Sequence, residues 1–133
     1  MLMSVKKWVT KMFMGEFKHN IDAKGRLIIP SKLREQCGSS VIVTRGFDGC
    51  LALYTQEGWD DYYQKLQMLP KTKKDARNFV RIITSRASEC EFDKLGRINI
   101  PSVLRVEGKL EKECIIVGVG DHVEIWNESL WQD

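Results

Sequence analysis

Histidine is nearly absent from this chain of 133 residues, and the two present, His19 and His122, fall at unrelated positions. His19 lies on the apolar side of an alternating stretch, where a satisfied, partly buried ring is the ordinary outcome rather than a catalytic base. There is no Gly-x-Ser-x-Gly elbow, no glycine-rich phosphate loop and no His-Glu-x-x-His zinc helix. The four cysteines, Cys37, Cys50, Cys90 and Cys114, form no Cys-x-x-Cys pair and sit in or beside apolar stretches. That pattern describes reduced core thiols, not a disulfide framework or a zinc site. No apolar run approaches the roughly 18 residues needed to cross a bilayer. The stretch Met1 to Lys11 is basic and interrupted by Ser4, Lys6 and Lys7, without a signal-peptide core. It is expected to be a basic arm or an upstream start ahead of Met12. These absences predict a cytoplasmic, disulfide-free protein without catalysis, cofactor, metal, membrane or small-molecule substrate.

What the chain does contain is a statement made twice. Asp22 to Arg34 reads Asp-Ala-Lys-Gly-Arg-Leu-Ile-Ile-Pro-Ser-Lys-Leu-Arg, and Asp93 to Arg105 reads Asp-Lys-Leu-Gly-Arg-Ile-Asn-Ile-Pro-Ser-Val-Leu-Arg. Eight of the thirteen positions are identical at an offset of 71, so a repeat organises the fold. Further on the offset becomes 72, matching Gly46 to Gly118, Leu53 to Ile125, Tyr54 to Trp126 and Trp59 to Trp131. Each copy is too short to bury an adequate core alone, so the copies should interlock.

Net charge is only +3, yet it is segregated. Residues 1–34 carry eight Lys/Arg against two acids, and residues 71–86 carry six against one. A basic face of this kind suits a polyanion, nucleic acid first, although a solvated surface shows the same pattern.

Periodicity divides the chain into an extension (1–12), a first repeat (13–54), linking helices (55–86) and a second repeat (87–133). Glu16 to Ile21 alternates as a half-buried strand, with Phe17, His19 and Ile21 on one side. Asp22 to Gly25 reads as a turn, Arg26 to Ile29 as a strand, and Pro30 opens a short helix. Val41 to Arg45 and Cys50 to Tyr54 form a hairpin. Thr55 can cap a helix, and Trp59, Tyr62, Tyr63, Leu66 and Leu69 recur at helical spacing. Thr72 with Asp75 resembles a capping box, and Lys73, Arg77 and Arg81 form a basic row. Strand, turn, strand, short helix and hairpin then recur. Trp59 and Trp131 are expected to serve packing rather than base stacking.

The turn carries the chemistry. Asp22 with Arg26, and Asp93 with Arg97, could pair simply to fix a hairpin. Arginine's planar fork can also hold a carboxylate and still offer donors to phosphate or to guanine O6 and N7. On the tip of a projecting hairpin, Arg26 and Arg97 become DNA-reading candidates, with Asp22 and Asp93 orienting them. Lys24, Lys94 and Lys18, with Lys32 nearby, are expected phosphate contacts.

The residues Met12-Phe13-Met14-Gly15-Glu16-Phe17, then Ile21 to Arg26 and Pro30 to Arg34, and again Asp93 to Ile98 with Pro101, resemble the MraZ family. That family is similar to the broader AbrB-like, or SpoVT-AbrB, group. The resemblance covers residues 12–133. It implies an α+β, β-rich fold: two tandem AbrB-like repeats interlocked as a pseudo-twofold swapped-hairpin unit and joined by two amphipathic helices. It implies a nucleoid-associated bacterial repressor of the division and cell-wall gene cluster, acting at short direct repeats in double-stranded DNA, its own promoter included. It also implies a homo-oligomer, a ring of about eight or more subunits. An assembly protein with incidental DNA affinity is the competing reading. Because Lys18 and Asn20 correspond to Glu89 and Glu91, the first copy is expected to contribute more to DNA attraction than the second.

Overall fold

The computed structural model describes residues 12–131; the expected N-terminal arm (1–11) lies outside them. The first copy supplies β1 (Phe13–Asn20), β2 (Arg26–Ile28), α1 (Ser31–Arg34), β3 (Ser40–Arg45) and β4 (Leu51–Tyr54). Two helices follow, α2 (Gln56–Gln67) and α3 (Lys74–Arg86). The second copy supplies β5 (Ser88–Glu91), β6 (Arg97–Asn99), α4 (Ser102–Glu107), β7 (Glu113–Gly120), β8 (Val123–Asn127) and α5 (Glu128–Trp131).

The result is a mixed α+β, sheet-rich chain. Six strands form one antiparallel sheet in the order β1-β7-β8-β4-β3-β5, and β2 pairs with β6 in a separate ribbon. The first strand of each copy pairs with the hairpin of the other: β1 lies on β7, and β5 lies on β3. Strands β4 and β8 join the two hairpins in mid-sheet. Between sheet and ribbon sits the core, where Leu27, Ile29, Leu33, Ile98, Ile100 and Leu104 meet Val43, Leu53, Ile116 and Ile125. Each such side chain contributes about 1.5–3 kcal/mol by leaving water, and both copies supply residues to each side of this single core.

This pairing corrects one expectation. The strands around the Asp22–Gly25 turn do not form a projecting hairpin, because β1 and β2 enter different sheets. The physical reason is burial. Three-residue β2 has one inward side chain, Leu27, and β6 has one, Ile98; pairing the strands places both under the sheet at 0% and 1% exposure.

A second correction concerns the offset. Asn20 faces Glu113 while its counterpart Glu91 faces Ser40, so β3 and β7 correspond at 73. The burial of Val41, Ile42 and Val43 repeats in Cys114, Ile115 and Ile116 on that offset. Gly118 therefore takes the place of Arg45, while β4 and β8 keep 72.

Cap chemistry shows where local reasoning holds. Thr55 Oγ1 accepts from the Gly58 N–H at 2.9 Å, and Asn127 Oδ1 accepts from the Ser129 N–H at 3.1 Å at the matching place. The aromatic pairs repeat too: Tyr54 meets Trp59 at 6.1 Å, and Trp126 meets Trp131 at 5.5 Å. The Thr72–Asp75 capping box is not formed. Helix α3 starts at Lys74 with Lys73 at the cap, which leaves Thr72 one residue too early. At its other end α3 is fastened to β3 by the buried Thr44 hydroxyl, which donates to the Ile83 carbonyl at 2.7 Å.

Candidate nucleic-acid interface

Each motif turn is built around its aspartate. Asp22 Oδ1 accepts from the N–H groups of Lys24 (3.0 Å) and Arg26 (2.9 Å), and Oδ2 accepts from Arg26 Nε (2.7 Å). Asp93 does the same with Leu95 (2.9 Å), Arg97 (2.8 Å) and Arg97 Nε (2.8 Å). The backbone closes both loops, Gly25 N–H to Asp22 O and Gly96 N–H to Asp93 O, each at 3.0 Å. Glycine is required because φ is +89° at Gly25 and +78° at Gly96. The backbone N–H of Arg26 holds the Asp22 carboxyl below its ordinary value, helped by the Arg26 side chain and the Lys24 N–H. Arg97 and Leu95 do the same for Asp93.

With Nε anchored, each guanidinium has its two terminal nitrogens left to offer. The ribbon register sets where they stand. Arg26 faces Asn99, Leu27 faces Ile98, and Ile28 faces Arg97. Leu27 and Ile98 point inward, so alternation puts Arg26, Ile28, Arg97 and Asn99 together on the outer face. The two arginines are diagonal neighbours, about 7–8 Å apart at the backbone. They share one face of the ribbon and do not stand on two separate tips. Lys24 and Lys94 are exposed in the adjoining turns, Lys24 one place later in its turn than Lys94 in the other.

Lys18 stands apart from this face. Its ammonium is held by Glu128 at 2.7 Å and Glu113 at 3.2 Å, whose hydrogen bonds raise its pKa above the ordinary value. Its charge is thus already matched by two carboxylates. Glu89, expected to oppose DNA from the second copy, instead accepts hydrogen bonds from Ser40 and Gln56 on the sheet's far edge.

The family "MraZ protein, putative antitoxin-like" matches twice, over residues 12–82 and 83–133. The chain belongs to the MraZ family. A relative in Ligilactobacillus salivarius (strain UCC118), named "Transcriptional regulator MraZ", is 61% identical over 121 residues, covering 91% of this chain and 85% of the relative. Another of that name, in Limosilactobacillus reuteri (strain DSM 20016), is 58% identical over 120 residues, covering 90% and 84%.

Within this MraZ chain, the structure brings forward three residues that sequence reasoning passed over. Asn99 sits opposite Arg26 on the outer ribbon face, where the first copy has Ile28; only the ribbon pairing reveals it. Arg34 and Arg105, identical across the copies, lie against the turns. Arg34 Nη1 donates to the Ile29 carbonyl, and Arg105 Nη1 approaches the Ala23 carbonyl at 3.5 Å. Their repetition was the available signal.

Proposed function

We propose that this chain is a DNA-binding transcriptional regulator, a repressor acting at short direct repeats upstream of the division and cell-wall gene cluster, its own promoter included. The observation that carries the reading is the pair Arg26 and Arg97 on one exposed two-stranded ribbon, each anchored at Nε by its aspartate. A two-stranded ribbon is one of the two elements that the major groove of B-DNA admits, and an arginine fork pairs with guanine O6 and N7. Asn99, opposite Arg26 on the same face, can pair with adenine N6 and N7 on the same logic. Lys24 and Lys94 supply phosphate attraction from the turns, and Lys18 contributes least because Glu113 and Glu128 already hold it.

The exchange of β1 and β5 between hairpins supports an interlocked pseudo-twofold unit, with 13–54 and 87–133 as the repeats and 55–86 joining them. Self-assembly into a ring is part of the proposal. Exposed Asp60 and Asp61 on α2, against exposed Lys73, Lys74, Arg77 and Arg81 on and before α3, offer the complementary surfaces that a head-to-tail contact uses. Site and assembly together fit a cytoplasmic, nucleoid-associated protein that acts by binding and needs no cofactor.

Equilibrium binding at physiological salt tests the reading, comparing the duplex upstream of the protein's own gene with a scrambled duplex of equal length. A specific regulator prefers the former by a factor on the order of 10³ or more. A ratio near one would favour the assembly protein with incidental DNA affinity.

A further inference from the structure

The two turns are not self-sufficient, and what completes each comes from the other copy. Around the first turn, the Ile100 N–H donates to the Gly25 carbonyl at 2.8 Å, and the Arg105 guanidinium covers the same glycine. A Cβ at Gly25 would stand 2.8 Å from Arg105 Nε and 2.9 Å from its Cζ. Arg105 Nε is buried there without a hydrogen-bond partner among the described residues, so it is the packing of the planar group that fills the place. Around the second turn, the Ile29 N–H donates to the Gly96 carbonyl at 3.0 Å. The Arg34 guanidinium covers Gly96 so closely that a Cβ there would overlap it. Arg34 is fixed in turn by its hydrogen bond to the Ile29 carbonyl.

We infer that Arg105 and Arg34 are positioning residues wired crosswise, Arg105 of the second copy aiming Arg26 and Arg34 of the first copy aiming Arg97. The inference rests on the DNA-reading role proposed for Arg26 and Arg97. The aspartate ties each reading arginine from inside its turn, and the opposite copy's guanidinium bounds the turn from outside. A flat, weakly hydrated guanidinium can lie on the peptide of a glycine, whereas a compact, strongly hydrated lysine ammonium cannot. The arrangement also explains why arginine, glycine and isoleucine are repeated together: each copy's glycine faces the other copy's arginine and isoleucine.

Crossed double-mutant cycles decide it, using binding of the full-length protein to a labelled duplex of its own upstream region. Arg105→Ala should weaken binding roughly tenfold, within the range of couplings between touching residues. Combined with Arg26→Ala it should add almost nothing, whereas with Arg97→Ala the two losses should multiply. Arg34→Ala should show the reverse, merging with Arg97→Ala and multiplying with Arg26→Ala. Multiplying losses in all four pairs would overturn the wiring, and a salt slope smaller by about one per arginine would then identify direct phosphate contacts. Hydrogen exchange read by mass spectrometry supplies an arm without DNA. Arg105→Ala, or Arg105→Lys where the alanine variant does not fold, should speed exchange at residues 24–26 and leave 95–97 unchanged; Arg34→Ala should do the opposite. Equal changes in both turns, or none, would overturn the inference. If wild type fails to distinguish its upstream region from scrambled DNA, the functional reading fails while the exchange result still judges the wiring.

Discussion

Asp22 and Asp93 each gather two backbone N–H groups and one arginine Nε, so the carboxylate that shapes the turn also sets the direction of the side chain leaving it. The linkage has a definite sign. Both carboxyls lie below their ordinary value of 3.8, so the stability they contribute is present above that pH and is lost as pH falls through the folded-state values. Exchange protection of both turns should therefore hold down to about pH 4 and fade below it, and Asp22→Asn should remove that dependence from the first turn alone. Gly25→Ala meets both a φ of +89° and the Ile100 carbonyl 2.7 Å away. It should cost about 2–3 kcal/mol in thermal or denaturant unfolding. Arg26→Ala is expected to weaken DNA binding more than Arg97→Ala. Lys18 is held by carboxylates, but the Arg26 side chain is 38% exposed against 26% for Arg97. Equal losses in a titration at fixed salt would reject it. Burial pushes the Cys37 and Cys114 thiols up to about 11 and Cys50 to about 12, with Cys37 only half-buried and the others buried. At pH 8 all four cysteines should react with a thiol reagent only as the protein unfolds.

Among the elements, what periodicity and capping decide locally could be read in advance. The alternation of Phe17 and His19 in β1, continued by Ile21 just past its end, the Thr55 cap and the strand–turn–strand–helix plan of each copy all follow from neighbouring residues. Partner choice did not. Nothing near Asp22 says that β2 pairs 71 residues away with β6, because that preference comes from burying Leu27 beside Ile98 under a sheet built from both copies. The same long-range pairing hid Asn99. The one-residue shift between β3 and β7 was equally hidden, since a glycine match at Gly46 and Gly118 outweighed a register only the partner strands define. Leu27→Ala should test the shared core: a loss of about 2–5 kcal/mol with a single unfolding transition is expected, since both copies lose their packing together. Two separate transitions would contradict interlocking.

For the molecule as a whole, the proposed assembly would multiply one modest ribbon per chain. If chains assemble head to tail, several ribbons meet several DNA repeats, and avidity can exceed a single contact by 10²–10⁴ in order of magnitude, roughly. Reversing Arg77 and Arg81 to glutamate should dissolve the assembly by light scattering and weaken binding to multi-repeat DNA far more than to a single repeat. An unchanged mass would reject α3 as the contact. The most direct test of the central claim is equilibrium binding of wild type and Arg26→Ala to the protein's own upstream duplex and to a scrambled duplex, at one fixed salt concentration. The ribbon reading predicts a loss of roughly tenfold or more on the upstream duplex, the cost of one bidentate base contact, with little change on the scrambled one. Equal losses on both duplexes, or none on either, would contradict it.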